Sequence, residues 1–227
     1  VGRYTYLPNG KFCEVVLGLS YLTRGLPMSS AQHTQSELLR TARRHFAERG
    51  YQGASLAQIS SESGVSKQAL LHHFKTKDQL YRAVLDQLNQ ELVQLLFAAM
   101  EETEQAELQI ERVFVALSGF FLKQRSAPAL LIGVLTDGPG LAVVADDLRP
   151  PVQDFLEPLA ALIQATDRWQ GAGFAAALSL AIELLGAVCL LPAARSNLSF
   201  RFGQNPVDQG AGLAPAHARD LVRSLIR

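Results

Sequence analysis

Apolar positions recur every three to four residues along most of this chain, the period of an α-helix with one face in a core. From Thr34 the pattern becomes dense. Thr34-Gln35-Ser36-Glu37 has the form of a capping box, and Leu38, Leu39, Ala42 and Phe46 follow on one face. This predicts a first helix over Gln35–Arg49, closed by Gly50 where a left-handed residue is wanted. Ser55-Leu56-Ala57-Gln58 is a second such box, opening a short helix with Leu56 and Ile59 inward and an end near Ser63. Gly64-Val65-Ser66 then breaks and restarts the chain within three residues. Glycine permits the left-handed turn, valine plugs the angle between helices, and Ser66 caps the next helix. That third helix, Lys67–Phe74, turns Leu70 and Phe74 inward and leaves Lys67, Gln68, Ala69, His72 and His73 outward. Thr76-Lys77-Asp78-Gln79 opens a long fourth helix, whose stripe of Leu80, Val84, Leu88, Leu92 and Leu95 runs to about Met100.

The remainder keeps the helical period. An acidic hinge, Glu101–Glu107, leads into a helix over Ala106–Gln124 carrying Ile110, Val113, Phe114, Leu117, Phe120 and Phe121. Pro128 sits in the first turn of a short apolar helix ending at Thr136, and Asp137-Gly138-Pro139-Gly140 predicts a turn. Pro150-Pro151 starts another helix to about Thr166, and Phe174–Leu191 is apolar on nearly every side. Pro192 to Pro215, polar and Gly-rich, predicts a loop, and Ala216–Ile226 a last amphipathic helix. With no convincing strand anywhere, the fold class is all-α.

Residues Val1–Pro27 differ in texture. They carry Gly and Pro punctuation and a short apolar patch, Val15-Val16-Leu17-Gly18-Leu19, too short to span a bilayer and without the cleavage pattern of a signal peptide. Met28 then begins a polar lead into the first helix. The expected organisation is an extraneous or disordered arm over 1–33, a compact helical head over 34–80 and a helical body over 81–227. A short strand or hairpin docked on the body is the competing reading of the arm.

Two short helices joined by a Gly-containing turn form a helix-turn-helix, whose second helix enters the DNA major groove. Charge changes the picture here. The whole chain balances 21 basic against 21 acidic side chains, which excludes a uniformly basic nucleic-acid coat or a polybasic membrane tail. Residues 33–82, however, hold eight bases against four acids and four of the five histidines, whereas 83–227 hold ten against sixteen. A solvated helical face produces such a run equally well, but together with the turn chemistry it favours DNA.

The run SELLRTARRHFAERGYQGASLAQISSESGVSKQALLHHFKTKDQLYRAVL resembles the N-terminal domain of the tetracycline-repressor (TetR) family of bacterial transcription regulators over about Ser36–Leu85. FAERGY, SLAQIS and GVSKQALLHHFKTKDQL carry the likeness. The resemblance implies a three-helix DNA-binding head with a helix-turn-helix core over 56–75, on a helical body that binds a small-molecule inducer and forms a homodimer. By position, Lys67, Gln68, Ala69, His72 and His73 match recognition-helix residues, and Ser55, Ser66 and Lys77 match residues that hold the DNA backbone; Lys75, at the end of the core, joins the candidate DNA contacts. Leu71 stands where the family has a tyrosine that contacts the backbone, a contact His72 or His73 would have to replace. Family members dimerise through a four-helix bundle of two late helices from each subunit, here Pro151–Thr166 and Gln170–Leu191.

Other chemistry is weakly represented. At 227 residues and 48% apolar composition the chain can bury an ample core without disulfides or a structural metal, and Cys13 and Cys189 form neither a disulfide framework nor a zinc site. Adjacent His72 and His73 lie about 100° apart on a helix and cannot act as paired metal ligands. His45 and His217 have no nucleophile with triad logic beside them, and no phosphate-binding glycine loop follows a strand. No catalytic residue, metal or cofactor is therefore expected. Cys189, in an apolar helix, reads as an inert core thiol before a redox sensor. Phe174–Leu191 is long enough to raise a membrane span, against which stand Glu183, Ser179 and the absence of basic flanks. Glu183 is either a water-facing or dimer-rim carboxylate or a polar contact in a pocket. The aromatics have two readings as well: core packing, or an apolar effector pocket lined by Phe114, Leu117, Phe121, Trp169 and Phe174. The resulting expectation is a cytoplasmic, homodimeric repressor released from a palindromic operator on double-stranded DNA by an apolar small molecule. An activator, or a regulator working through a protein partner, is the alternative, and a helical enzyme the remote one.

Overall fold

Local capping chemistry and a few left-handed glycines set the early helices of the computed structural model, which describes residues 30–101, 103–136 and 151–227. The arm before residue 30, the turn expected at Asp137–Gly140 and Pro150 lie outside the described residues. Among the described residues there are nine helices and no strand: α1 Ser30–Gly53, α2 Leu56–Glu62, α3 Lys67–His73, α4 Lys77–Met100, α5 Ala106–Lys123, α6 Ala127–Thr136, α7 Gln153–Gln164, α8 Phe174–Phe202 and α9 Gln204–Ile226. The all-α expectation holds.

Ser66 and Thr76 cap as expected, each accepting a hydrogen bond at 3.1 Å, from the Ala69 and Gln79 N–H groups respectively. Ser55 occupies the N-cap backbone position of α2 but makes no side-chain capping bond. Thr34 is not an N-cap, because α1 already begins at Ser30; a capping-box pattern inside a helix is only a polar stretch. Gly50 (φ 65°) breaks the helical path near the end of α1, and Gly64 (φ 71°) makes the left-handed turn between α2 and α3. There the Val65 N–H reaches back to the Ser60 carbonyl at 3.1 Å.

Leu38, Ala42, Phe46, Ile59, Leu70, Phe74, Leu80 and Tyr81 close the core of the first helices. The rings of Phe46 and Tyr81 meet edge-on at 4.8 Å, and Tyr51 packs on Tyr81 at 5.2 Å. α5 is the centre of the rest: its Ile110, Val113, Phe114, Leu117 and Phe121 are buried against α4, α7, α8 and α9. Glu111 is buried on the same helix. Arg223 of α9 donates to its two oxygens at 2.8 and 2.9 Å, and Arg219 and Arg227 add ion pairs at 3.2 and 3.8 Å. Three guanidiniums satisfy a carboxylate that would be costly to bury alone.

Two boundaries differ from expectation. α7 starts at Gln153 because Val152 takes a left-handed conformation (φ 58°), unusual for a β-branched residue and held by a side chain that is fully buried. The loop expected over Pro192–Pro215 is instead helix, with Pro192 inside α8 and Pro215 inside α9. An interior proline costs about 3 kcal/mol. Here packing offsets it: Val188 and Cys189 before Pro192, and Val207, Ala211, Ala218 and Val222 around Pro215, are all buried. Gly203 (φ 85°) makes the turn of this hairpin, and Arg195 of α8 pairs with Asp208 of α9 across it.

α8 is long and apolar enough to cross a membrane by length and composition alone. Its packing is that of a core helix with one covered face. Ala177, Leu180, Ala181, Leu184, Leu185, Val188 and Cys189 are buried, whereas Ala175, Ser179, Ile182, Glu183, Gly186, Ala187 and Leu190 form an outer stripe open to solvent.

The glycines make a paired test of the backbone argument. Gly64 has open space where a Cβ would sit, so Gly64→Ala should cost about 1 kcal/mol through its left-handed φ alone. Gly119, helical and equally open, should gain up to about 0.8 kcal/mol as Gly119→Ala. Urea denaturation of both variants checks the opposite signs.

Candidate nucleic-acid interface

A short helix delivered by a tight turn presents one polar face. Leu70 at the centre of α3 is buried, and Phe74 immediately after it is nearly so. Lys67, Gln68, His72, His73 and Lys75 are exposed in consequence, and Ala69 is half-buried at the edge of the same face. The imidazoles of His72 and His73 stand perpendicular, with ring centres 5.8 Å apart. Leu71 is half-buried against the core, so its position contributes packing to the helix.

The residues matched to backbone positions fall into two states. Ser66 is exposed and already caps α3, while Ser55 is half-buried with its hydroxyl not used in capping. Lys77 folds back on the end of α1: its ammonium donates to the Gln52 carbonyl at 3.3 Å and lies 4.6 Å from the centre of the Tyr51 ring. Tyr51 in turn donates to Asp78, and burial together with that hydrogen bond pushes its phenol up to about 12.

The basic character of this region is partly consumed internally. Arg40 pairs with Glu37 at 2.7 Å, Arg44 with Glu62, and Arg49 donates to Gln58. Arg43 is buried and forks onto Glu91 of α4 at 2.7 and 2.8 Å. Arg49, Lys67 and Lys75 are exposed, and since the Gln58 acceptor of Arg49 is neutral, all three keep their charge facing outward. Counting bases along the sequence could not separate these groups, because the acceptors of Arg43, Arg44 and Arg49 lie 9 to 48 residues away.

Behind the face, His45 is buried between α1 and α2 and donates from Nε2 to Glu62 at 2.7 Å, with Nδ1 left without a partner. A shallow groove of about 560 Å³ lies beside this contact, lined by Arg49, Gln58 and Ser61 as well. The hydrogen bond from His45, reinforced by Arg44, holds the Glu62 carboxyl below its ordinary 4.5.

The candidate effector residues are dispersed in their surroundings. Phe114, Leu117 and Phe121 share the fully buried side of α5. Trp169, in the turn between α7 and α8, is half-buried and donates from its indole N–H to the Leu225 carbonyl at 3.0 Å. Phe174 opens α8 with 49% of its surface exposed. Cys189 is buried, which pushes its thiol up to about 12, and Glu183 is exposed beside Ser179. Among the described residues no three His, Cys, Asp or Glu side chains could hold a metal ion.

Residues 38–84 match the family described as "Bacterial regulatory proteins, tetR family". The chain is 39% identical over 66 residues to the HTH-type transcriptional repressor AcnR of Corynebacterium efficiens, an alignment covering 29% of this chain and 33% of AcnR. It spans about a third or less of the length of the AcnR relatives it matches. The fold extends further than the sequence likeness. A TetR-like transcriptional regulator from Rhodococcus sp. RHA1 superposes with a TM-score of 0.56 at 19% identity, covering 85% of this chain and 96% of that one. The transcriptional regulator FadR from Bacillus subtilis, in complex with stearoyl-CoA, superposes with a TM-score of 0.61 at 12% identity, covering 82% and 96%.

The depressed Glu62 carboxyl carries a pH signature. A carboxylate held low in the folded state stabilises it above the unfolded value and loses that contribution as pH falls through the folded one. The stability difference between the natural chain and Glu62→Gln should therefore shrink steadily between about pH 6 and pH 3. Urea denaturation at stepped pH measures it; a constant difference would remove the His45–Glu62 bond from the account.

Proposed function

We propose, from the tetR-family match over residues 38–84 and the TetR-like fold of the longer chain, that this is a tetR-family protein: a cytoplasmic, ligand-responsive transcriptional regulator that represses by binding a palindromic operator. One observation carries this reading: α3, seven residues long and entered through Gly64 and the Ser66 cap, offers a polar face of Lys67, Gln68, Ala69, His72 and His73. Such a helix fits the major groove, where glutamine can pair bidentately with adenine and lysine with guanine. Ser55, Ser66, Lys75 and Lys77 surround it with hydroxyls and ammonium groups suited to phosphate. Lys77 would have to leave its place on Tyr51 and Gln52 to reach one.

Two heads are needed to read a palindrome. The outer stripe of α8, with Ile182, Leu190 and the small Gly186 and Ala187, offers an apolar face on which a second copy could pack about a twofold axis. α7 is the second helix proposed for that bundle. In this reading Glu183 sits at the edge of the interface. An apolar effector held near Phe114, Leu117, Phe121, Trp169 and Phe174 would favour a body conformation with mis-spaced heads, and would release DNA by its differential affinity for the two states. The stearoyl-CoA complex of FadR supports an effector with a long apolar part.

Selection from a randomised duplex library tests the interface. Gln68→Ala should return a changed consensus. Lys75→Ala should instead weaken binding to every sequence and flatten the logarithmic salt dependence by about one phosphate contact per subunit. An unaltered consensus in the first case would displace α3 as the reader.

Dimerisation has its own test. Gly186→Arg and Ala187→Glu put a charge in the middle of the α8 stripe, and either should give monomers or aggregates and abolish specific operator binding. Analytical ultracentrifugation of the natural chain at micromolar concentration should show a dimer, and a stable monomer there would sink the two-half-site mechanism.

A further inference from the structure

The Arg43 guanidinium joins three elements that the sequence separates widely. It projects from α1, forks onto both oxygens of Glu91 at 2.7 and 2.8 Å in the middle of α4, and donates from Nε to the Ser126 hydroxyl at 3.1 Å. Ser126 lies at the entrance to α6, where its carbonyl accepts the Leu130 N–H. The Arg43 side chain is only 8% exposed and that of Glu91 27%, so the ion pair is shielded from solvent. A planar fork engaged at both ends and braced through Nε resists rotation in a way that a single charge contact does not.

Its location gives this stiffness a use. α1 is bound to the first turns of α4 through Phe46, Tyr51 and Tyr81, which holds the head on one end of a long helix. A head fixed to one end of a rod can still tilt as the rod bends. The Arg43 fork ties α1 to α4 at a second point, further along the rod, and its Nε arm ties α1 to the turn before α6.

We propose that Arg43 is a positioning residue for DNA reading: its clamp on Glu91 and Ser126 fixes the angle of the recognition helix to the body, and thereby the half-site spacing a dimer accepts. This rests on the dimeric DNA-binding reading above. Arg43 itself does not touch DNA. Lysine in its place keeps the charge but has no planar fork, and Ser126→Ala removes the arm to α6 while leaving the ion pair intact.

The test uses the duplex that the full natural chain selects from a randomised library, versions of it with the central spacer lengthened or shortened by one base pair, and an isolated half-site. The natural chain should lose about a hundredfold in affinity on the misspaced duplexes, because both heads can no longer engage together. Arg43→Lys and Ser126→Ala should bind all three spacings within about threefold of one another and the half-site as the natural chain does. Thermal melting identifies a variant that fails to fold; Ser126→Ala, which alters one hydroxyl of a half-buried turn residue, keeps the question answerable if Arg43→Lys does not fold. Retention of the natural spacing preference in folded variants would overturn the proposal. So would an equal loss on half-site and full site, the mark of a merely structural role. Failure of the natural chain to select any duplex is a different result and would overturn the DNA-binding reading beneath it.

Discussion

One unbroken helix takes part in two hydrophobic assemblies, and most of the molecule follows from that sharing. α4 has 24 residues, about 36 Å at 1.5 Å per residue. Its first turns place Leu80, Tyr81 and Val84 among the residues that close the head, and its later turns place Leu88, Leu92 and Leu96 against the body. Close-packed interiors shift between discrete arrangements more readily than they deform smoothly. A change of packing around α5 or α7 would reach the head through α4, which packs on both.

Buried charge complements this rod with fixed points. Arg43 with Glu91, and Glu111 with Arg219, Arg223 and Arg227, connect helices far apart in the chain. Such pairs add little net stability over an apolar replacement, but a buried Arg43 or Glu111 stripped of its partners would be left as an uncompensated charge. Their effect is to penalise every arrangement of the helices that separates them.

What could be read in the chain beforehand was the local part. Gly50, Gly64, Ser66 and Thr76 act through bonds spanning a few residues, and Leu70 and Phe74 reveal their face by spacing alone, so the helices up to Met100 were legible to within a few residues at each end. The misplaced start of α1 has a cause of the same kind, since a box such as Thr34–Glu37 is informative only where a helix actually begins. Pro192 and Pro215 misled for the opposite reason. Their local penalty is real, but it is outweighed by the burial of Val207, Ala211 and Val222, which depends on partners no local pattern reveals. The arginines of α1 likewise looked like free positive charge until Glu62 and Glu91 came into place beside them. The candidate reading face on α3 is legible because its inward residues are strictly local, whereas the setting of Trp169 depends on the Leu225 carbonyl 56 residues away.

The Glu111 network has a consequence for synthesis. The head is closed by residues within one short stretch, so it can assemble soon after that stretch has left the ribosome. α5 is translated next, and with it a carboxylate destined for the interior. Its bidentate partner, Arg223, lies 112 residues later in the chain. Before α9 has been made, sealing the apolar side of α5 would leave that carboxylate without its partners or require it to take up a proton. During that interval the face of α8 that packs against α9 is uncovered as well.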